Sequence, residues 1–316
     1  MAYVPKLPYS DKRSIEPARI VVPPPSLDYD DGKACFNVAA VEPFEHGSAG
    51  FGNPAFLRAV TSCHKLEMSH GMLSWKYEMR RQAQHILPFL LLGPSSTARD
   101  ARFVQKAGIT FMLAVRSAAA VKARPSLLNP ASFASSKGVV TATFDLDTPY
   151  DLITNLRPTI KRINDHLEES CIRRPITSIS DIGGKVLVFC ESGNERSTVI
   201  VAAYLMVLYG VDAITAIQII QSQRFCINVE DGMKRMLLDL QEILRAERQV
   251  ALSNAAAALS MLQLRPSRGD SSMLNKPTKR SIDRAYESEG ELSDAPELTD
   301  GAAMRSGTAP FADAGD

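Results

Sequence analysis

The fold is decided by the stretch Val186-Leu187-Val188-Phe189-Cys190-Glu191-Ser192-Gly193-Asn194-Glu195-Arg196-Ser197-Thr198. Four residues typical of a strand lead into a cysteine, and a short loop with one glycine then leads into a long apolar run typical of a helix. A loop of this length between a strand and a helix can turn several backbone N–H groups toward one point, beside the positive end of the helix dipole. The stretch therefore predicts an anion-binding site.

The side chains of this loop suit phosphate-ester chemistry. Cys190 lies at the base of the predicted site, where the same dipoles favour the nucleophilic thiolate. Arg196 can bind two phosphate oxygens with its planar guanidinium, and Ser197 can donate a hydrogen bond to the sulfur when it leaves. Together they predict a phosphate-ester hydrolase with a phosphocysteine intermediate. The predicted phosphate-binding residues are Glu191, Ser192, Gly193, Asn194, Glu195 and Arg196.

Residues 190–197 resemble the C-x-x-G-x-x-R-S signature of dual-specificity and tyrosine phosphatases. Other stretches resemble the serine/threonine/tyrosine-interacting branch, a pseudophosphatase branch related to the dual-specificity enzymes; these are residues 75–81, 87–94, 108–110 and 224–228. The resemblance covers residues 75–250. It implies a cysteine-phosphatase-like α/β fold, a phosphorylated protein as substrate, a signalling partner such as a MAP kinase, and no cofactor.

The resemblance also implies a general acid, which the family takes from a loop that follows a strand upstream of the cysteine. Asp147, which precedes Thr148-Pro149, matches that place best, and Asp145 is the alternative. A different role for Asp147 is also open, since it could cap the helix that is predicted to follow.

Three residues depart from the family's active members. Phe189 occupies the position where those members carry a histidine that supports the loop and keeps the thiol acidic, and Glu191 and Glu195 add negative charge to the loop. Negative charge near a thiol raises its pKa and opposes a phosphate dianion, so these residues predict a slow enzyme. Two functions stay open: an active dual-specificity phosphatase, which is the main interpretation, and a scaffold that binds phosphoproteins or a MAP kinase without turnover.

Composition limits the classes of partner and compartment. A formal net charge of +1 gives no overall field for nucleic acid or an anionic membrane, and the five cysteines have no disulfide or metal-site spacing. The first residues lack the apolar core of a signal peptide, and no apolar run has the length of a membrane span. We expect a cytoplasmic protein, which residues 276–280 could also direct to the nucleus, and the oligomeric state stays open.

The pattern along the chain predicts an α/β fold with a central, mainly parallel sheet flanked by helices. Predicted strands cover residues 86–92, 109–115, 139–144 and 185–189, and predicted helices cover residues 95–107, 151–167, 198–209 and 212–221, with another from residue 231. Residues 1–73 read as an arm that is largely disordered or unassigned, residues 74–250 as the phosphatase-like domain, and residues 251–316 as a disordered tail.

Overall fold

A computed structural model describes residues 19–38, 50–124, 126, 128–129, 138–173 and 175–263. The predicted import signal at residues 276–280 and most of the predicted tail lie outside the described residues. The strands are β1 (Asp28–Asp30), β2 (Lys33–Asn37), β3 (Glu67–Ser69), β4 (Gln84–Leu87), β5 (Leu90–Pro94), β6 (Phe111–Arg116), β7 (Val140–Asp145) and β8 (Val186–Cys190). The helices are α1 (Pro54–Cys63), α2 (Ser95–Arg99), α3 (Ala101–Ala107), α4 (Ala118–Ala123), α5 (Pro149–Glu169), α6 (Arg196–Tyr209), α7 (Ala213–Gln223) and α8 (Asp231–Gln263).

The main sheet has five described strands in the order β4-β5-β8-β6-β7. Strands β5, β8, β6 and β7 are parallel to their neighbours, and β4 pairs antiparallel with β5 at the edge. Because parallel strands place their carboxyl ends at one edge of the sheet, the loops that follow β7 and β8 meet there. This arrangement confirms the predicted α/β class with a mainly parallel sheet.

Side chains of the central strands alternate between two cores. The larger core contains Cys190 and Val188 of β8 and is covered by α1 and α5–α8, whereas the smaller core contains Phe189 and Leu187 and is covered by α2 and α3. Helix α6 lies in the middle of the larger core, where all of its residues after the first are buried. The cysteine and its preceding aromatic residue therefore face opposite sides of the sheet.

Two predicted elements are divided in the structure. The single strand predicted over residues 86–92 is a hairpin of β4 and β5, which turns at Pro88 and Phe89 and pairs Leu87 with Leu90. Proline has no N–H to donate to a strand ladder, so the chain turns there. The single helix predicted over residues 95–107 breaks at Asp100, whose carboxylate caps α3 by accepting hydrogen bonds from the second and third residues of that helix.

Residues 33–73, to which the sequence pattern assigned no structure, contain part of a second sheet and a helix. Strands β1, β2 and β3 pair antiparallel, and α1 packs against the larger core through Phe56 and Val60. Phe36 and Phe51 join the same core. At the other end of the domain, α8 continues past residue 250 to Gln263. We therefore draw the ends of the folded domain outside residues 74 and 250.

Among the described residues, no single helix is both long and apolar enough to cross a bilayer. Only α6 and α7 taken together meet that test of length and composition, as a pair bent by 117°.

Candidate active site

The loop between β8 and α6 surrounds the sulfur of Cys190. Cys190 is buried at the carboxyl end of its strand, and its Sγ accepts a hydrogen bond from the backbone N–H of Gly193 at 3.2 Å and from Ser197 Oγ at 3.0 Å. The loop ends at the N-terminus of the 14-residue helix α6, where the helix dipole places partial positive charge. Hydrogen bonds and dipole both favour negative charge on the sulfur or on an anion beside it.

Four consecutive carbonyl groups of the loop are held by donors from outside it. The pairs are Glu191 O with Ser95 N (3.3 Å), Ser192 O with Arg224 Nη2 (3.1 Å), Gly193 O with Arg224 Nε (3.0 Å) and Asn194 O with Asn228 N (2.9 Å). In a trans peptide the C=O and the following N–H point in opposite directions. Fixing the four carbonyls outward therefore turns the next four N–H groups toward the inside of the loop, which is the arrangement that an oxyanion requires.

Gly193 is required by both conformation and space. Its φ is +74°, in the left-handed region, and a Cβ on it would lie 2.4 Å from the carbonyl carbon of Gly93 in β5. The close approach to β5 fixes the height of the loop over the sheet edge. Any side chain at this position would push the loop away from the strand.

The guanidinium of Arg196 is available for a ligand. It occupies the first position of α6, its side chain is 31% exposed, and within the described part of the chain it donates no hydrogen bond. Its Nε lies 3.9 Å from Asp147 Oδ1, which is too long for a hydrogen bond. An arginine in this state, beside inward-facing N–H groups, can donate two parallel hydrogen bonds to a phosphate.

The structure separates the two candidate acids. Asp145, at the end of β7, accepts two hydrogen bonds of 2.7 and 2.9 Å from Arg116, and these engage both of its carboxylate oxygens. Asp147 lies beside Arg196, with Oδ2 accepting the backbone N–H of Ala119 at 2.8 Å. The structure thus brings Asp147 and not Asp145 to the loop.

Asp147 does not cap α5, which was the alternative role considered for it. Thr148 caps α5, and its side chain and that of Asp151 form a capping box. Asp147 instead binds the first turn of α4 through the Ala119 N–H, which leaves Oδ1 facing Arg196.

Sequence reasoning missed Arg224, the residue that holds the outer side of the loop. Its side chain is fully buried and makes seven hydrogen bonds. The acceptors are the carbonyls of Arg80, Gln82, Ser192 and Gly193 and the side chains of Gln84 and Asn194. Burial lowers the pKa of Arg224, and the neighbouring thiols Cys226 and Cys190 oppose that shift. The only signal in the sequence was the resemblance of residues 224–228, which says nothing about burial.

Comparison with known proteins identifies this arrangement. The family model "Dual specificity phosphatase, catalytic domain" matches residues 90–243, which include Asp147, the loop and Arg224. The chain is 29% identical over 221 residues to serine/threonine/tyrosine-interacting protein A of Xenopus laevis, a match that covers 69% of this chain and 86% of that protein. Residues 90–243 therefore resemble the catalytic domain of the dual-specificity phosphatases.

Two other relatives extend the comparison. Human dual specificity phosphatase 28 is 26% identical over 162 residues, covering 51% of this chain and 79% of that protein. The crystal structure of the human tyrosine phosphatase-like serine/threonine/tyrosine-interacting protein is 29% identical, with a TM-score of 0.40 and coverage of 52% of this chain and 98% of that chain.

The residues that depart from the active phosphatases have distinct positions in this domain. Phe189 is fully buried in the smaller core, on the face of the sheet opposite Cys190. Glu191 is exposed at the start of the loop, and Glu195 is half-buried at its end, where its carbonyl accepts the N–H groups of Thr198 and Val199. The two carboxylates therefore belong to the ends of the phosphatase loop, and the aromatic ring fills core space.

Among the residues that the structure describes, no set of side chains is suited to bind a metal ion. There, no three side chains of histidine, cysteine, aspartate or glutamate come together in a way that could hold a metal ion. The thiol of Cys226 is half-buried and donates a hydrogen bond to Asn194 Oδ1 at 3.2 Å, so it supports the loop.

Proposed function

We propose that this protein hydrolyses phosphate monoesters of phosphoproteins through a phosphocysteine intermediate. The observation that carries the proposal is the contrast between two arginines at one loop. Arg224 is saturated by protein acceptors and fixes the loop, whereas Arg196 donates no hydrogen bond within the described residues and borders the same loop. The buried Nε of Arg196 has no hydrogen-bond acceptor among the described residues, and a ligand oxygen at the loop would supply one.

The first step is attack on phosphorus by the Cys190 thiolate, which forms the S–P bond as the P–O bond to the substrate breaks. Arg196 and the inward-facing N–H groups of residues 192–195 bind the three phosphoryl oxygens and stabilise the charge that spreads over them. Asp147, in its protonated form, gives its proton to the leaving oxygen, which departs as an alcohol or phenol.

The second step regenerates the enzyme. A water molecule attacks the phosphorus of phosphocysteine while the Asp147 carboxylate accepts its proton, and the S–P bond breaks to release inorganic phosphate. The sulfur leaves as a thiolate, which accepts the hydrogen bond from Ser197 Oγ that the structure shows at 3.0 Å. The hydroxyl therefore assists the second half of the cycle.

A pair of variants tests this function. We expect wild type to release a burst of phenol from an aryl phosphate in a single turnover, and Cys190→Ser to release none while it still binds phosphate. Arg196→Ala should bind phosphate about tenfold more weakly or worse, because the bidentate contact is lost. Equal turnover by wild type and Cys190→Ser would overturn the mechanism.

A phosphoprotein-binding scaffold is the second candidate, and Phe189 favours it. Phe189, whose ring lies in the smaller core, occupies the position where the family's active members carry the histidine that supports the loop. On this alternative the same loop binds a phosphorylated partner without turnover. A wild-type chain that is inert toward aryl phosphates, yet binds a phosphopeptide through Arg196, would establish the scaffold and refute the enzyme.

For the partner and compartment we infer more specific expectations from the same resemblance. A phosphorylated MAP kinase is the proposed signalling partner, with action in the cytoplasm and the nucleus. A pull-down with the Cys190→Ser chain tests the partner, and we expect it to retain the kinase only in its phosphorylated form. Fluorescence microscopy of the chain with Lys279 and Arg280 replaced by alanine tests the import signal.

A further inference from the structure

A short segment borders the middle of the phosphate-binding loop. The Arg224 side chain joins the two, since its Nη2 donates to Arg80 O at 2.9 Å and to Ser192 O at 3.1 Å, and its Nη1 donates to Gln82 O at 2.8 Å. One nitrogen thus binds both the 3-10 turn Tyr77–Arg81 and the loop. The turn and the loop therefore lie side by side and are held by the same buried cation.

The outer surface of this region carries large exposed side chains. Tyr77 is 68% exposed and Phe225, which directly follows the anchored Arg224, is 45% exposed. The guanidinium carbon of Arg80 lies 3.6 Å from the centre of the Tyr77 ring, so the pair is already ordered by a cation–π contact. We call Lys76, Tyr77, Arg80, Arg81 and Phe225 the Tyr77 surface.

The Tyr77 surface is positively charged, and its charge extends to the loop. It has three cations, Lys76, Arg80 and Arg81, against the one carboxylate of Glu78 within the same turn. Burial raises the pKa of the Cys226 thiol, and the cations of Arg224 and Arg80 oppose that rise, which places the Arg80 charge close to Cys226.

The loop's own carboxylates do not cancel this charge at its middle. Cys226 Sγ contacts Asn194 in the middle of the loop, whereas Glu191 and Glu195 lie at its two ends. The Tyr77 surface is thus an aromatic and cationic neighbour of the loop, joined to it on the side where Arg224 binds the loop carbonyls.

We propose that the Tyr77 surface binds the residues that flank the phosphorylated side chain and selects protein substrates whose phosphosite has acidic flanks. The inference rests on the proposed function, because it assigns the substrate class of the same site. Exposed ion pairs are individually weak, so we expect three cations facing acidic residues to give a preference of about five- to tenfold, which corresponds to about 1–1.4 kcal/mol in total. Exposed rings of Tyr77 and Phe225 add contact area for any flanking side chain.

The test measures binding of two phosphotyrosine peptides of equal length to the full chain carrying Cys190→Ser. One peptide has Asp and Glu on both sides of the phosphotyrosine, and the other has Asn and Gln. We expect the acidic peptide to bind about five- to tenfold more tightly, and the ratio to shrink as salt shortens the screening length from about 10 Å at 0.1 M to about 3 Å at 1 M.

Paired variants locate the effect. Arg80→Ala with Arg81→Ala should reduce the ratio to less than about twofold, because the backbone carbonyl of Arg80 stays bonded to Arg224 while the charges are gone. The matched control removes two cations from α3, Arg102→Ala with Lys106→Ala, both exposed beside the smaller core, and should keep the full ratio.

The outcomes separate the two proposals. Two results would overturn selection by the Tyr77 surface and leave the proposed function standing. The first is equal affinity of the chain with an unchanged Tyr77 surface for both peptides, and the second is loss of the affinity ratio in the α3 control variant. Binding of inorganic phosphate without binding of either peptide overturns both, because the site would then not accept a phosphoprotein.

Discussion

Replacing Arg224 is the sharpest test of how the phosphate-binding loop is held. The Arg224→Met side chain has similar length and no donor, so it removes seven hydrogen bonds to six acceptors, four of them main-chain carbonyls. An unsatisfied buried acceptor costs about 1–3 kcal/mol. Relief of the buried charge and entry of water at the exposed rim offset part of this sum, which leaves a loss of about 3–5 kcal/mol in the free energy of unfolding.

Arg224→Lys separates loop geometry from folding. Lysine keeps the charge and has three donors, so it can satisfy about half of the six acceptors and should cost about 1–3 kcal/mol. A domain with a total stability of about 5–15 kcal/mol still folds after such a loss. Because Ser192 O and Gly193 O are then held loosely, we expect affinity for an oxyanion to fall about tenfold or more.

Urea denaturation and titration with tungstate measure the two effects. The matched control is Arg245→Lys, since Arg245 is exposed and makes a single ion pair with Glu242, and it should change stability by less than about 0.5 kcal/mol. If Arg224→Lys folded with wild-type affinity for tungstate, the outward carbonyls would not depend on Arg224. The account of the loop would then be wrong.

Four further substitutions have distinct expected results. Gly193→Ala combines a positive φ with a Cβ 2.4 Å from a carbonyl carbon of β5, so phosphate binding should be lost while the fold survives, as circular dichroism and phosphate titration would show. Asp147→Asn should slow phenol release about 10²- to 10⁴-fold and remove its dependence on an ionising acid, whereas Asp145→Asn should mainly lower stability, by about 0.5–2 kcal/mol, through loss of the bidentate pair with Arg116. Burial lowers the pKa of His166 from its ordinary value of 6.5, so the folded state favours the neutral ring. The contribution of His166 to the free energy of unfolding is therefore fully present above pH 6.5 and is lost as the pH falls below it. Melting curves of His166→Gln should show a weaker decline in stability over that range.

The strand, loop and helix around Cys190 were predictable because the information for them is local. The spacing of Cys190, Gly193 and Arg196 defines a strand, a loop and a helix within one short stretch. Asp147 was predicted from the resemblance to the family, and in the structure it lies beside Arg196 because parallel strands end at the same edge of a sheet. The opposite orientations of the Phe189 and Cys190 side chains also follow from strand periodicity, since adjacent residues of β8 face opposite cores.

The supporting half of the site was not predictable in this way. A single arginine at the end of a helix looks like a solvated surface residue in the sequence. Arg224 is buried because segments around residues 80–84 and 192–194 supply acceptors for it. Such long-range pairing leaves no periodic trace in the sequence. The same holds for α1, where Phe56 and Val60 pack against a core formed by residues distant from them in the chain.

The central claim is that Cys190 becomes covalently phosphorylated, and trapping that intermediate tests it most directly. The full chain is mixed with a radiolabelled phosphotyrosine peptide, quenched with acid within one turnover, and digested for mapping. The account predicts protein-bound label that appears and decays during the turnover, maps to the fragment containing Cys190, and is absent in Cys190→Ser. Label on another residue, label that persists in Cys190→Ser, or phosphate release with no labelled protein would contradict it.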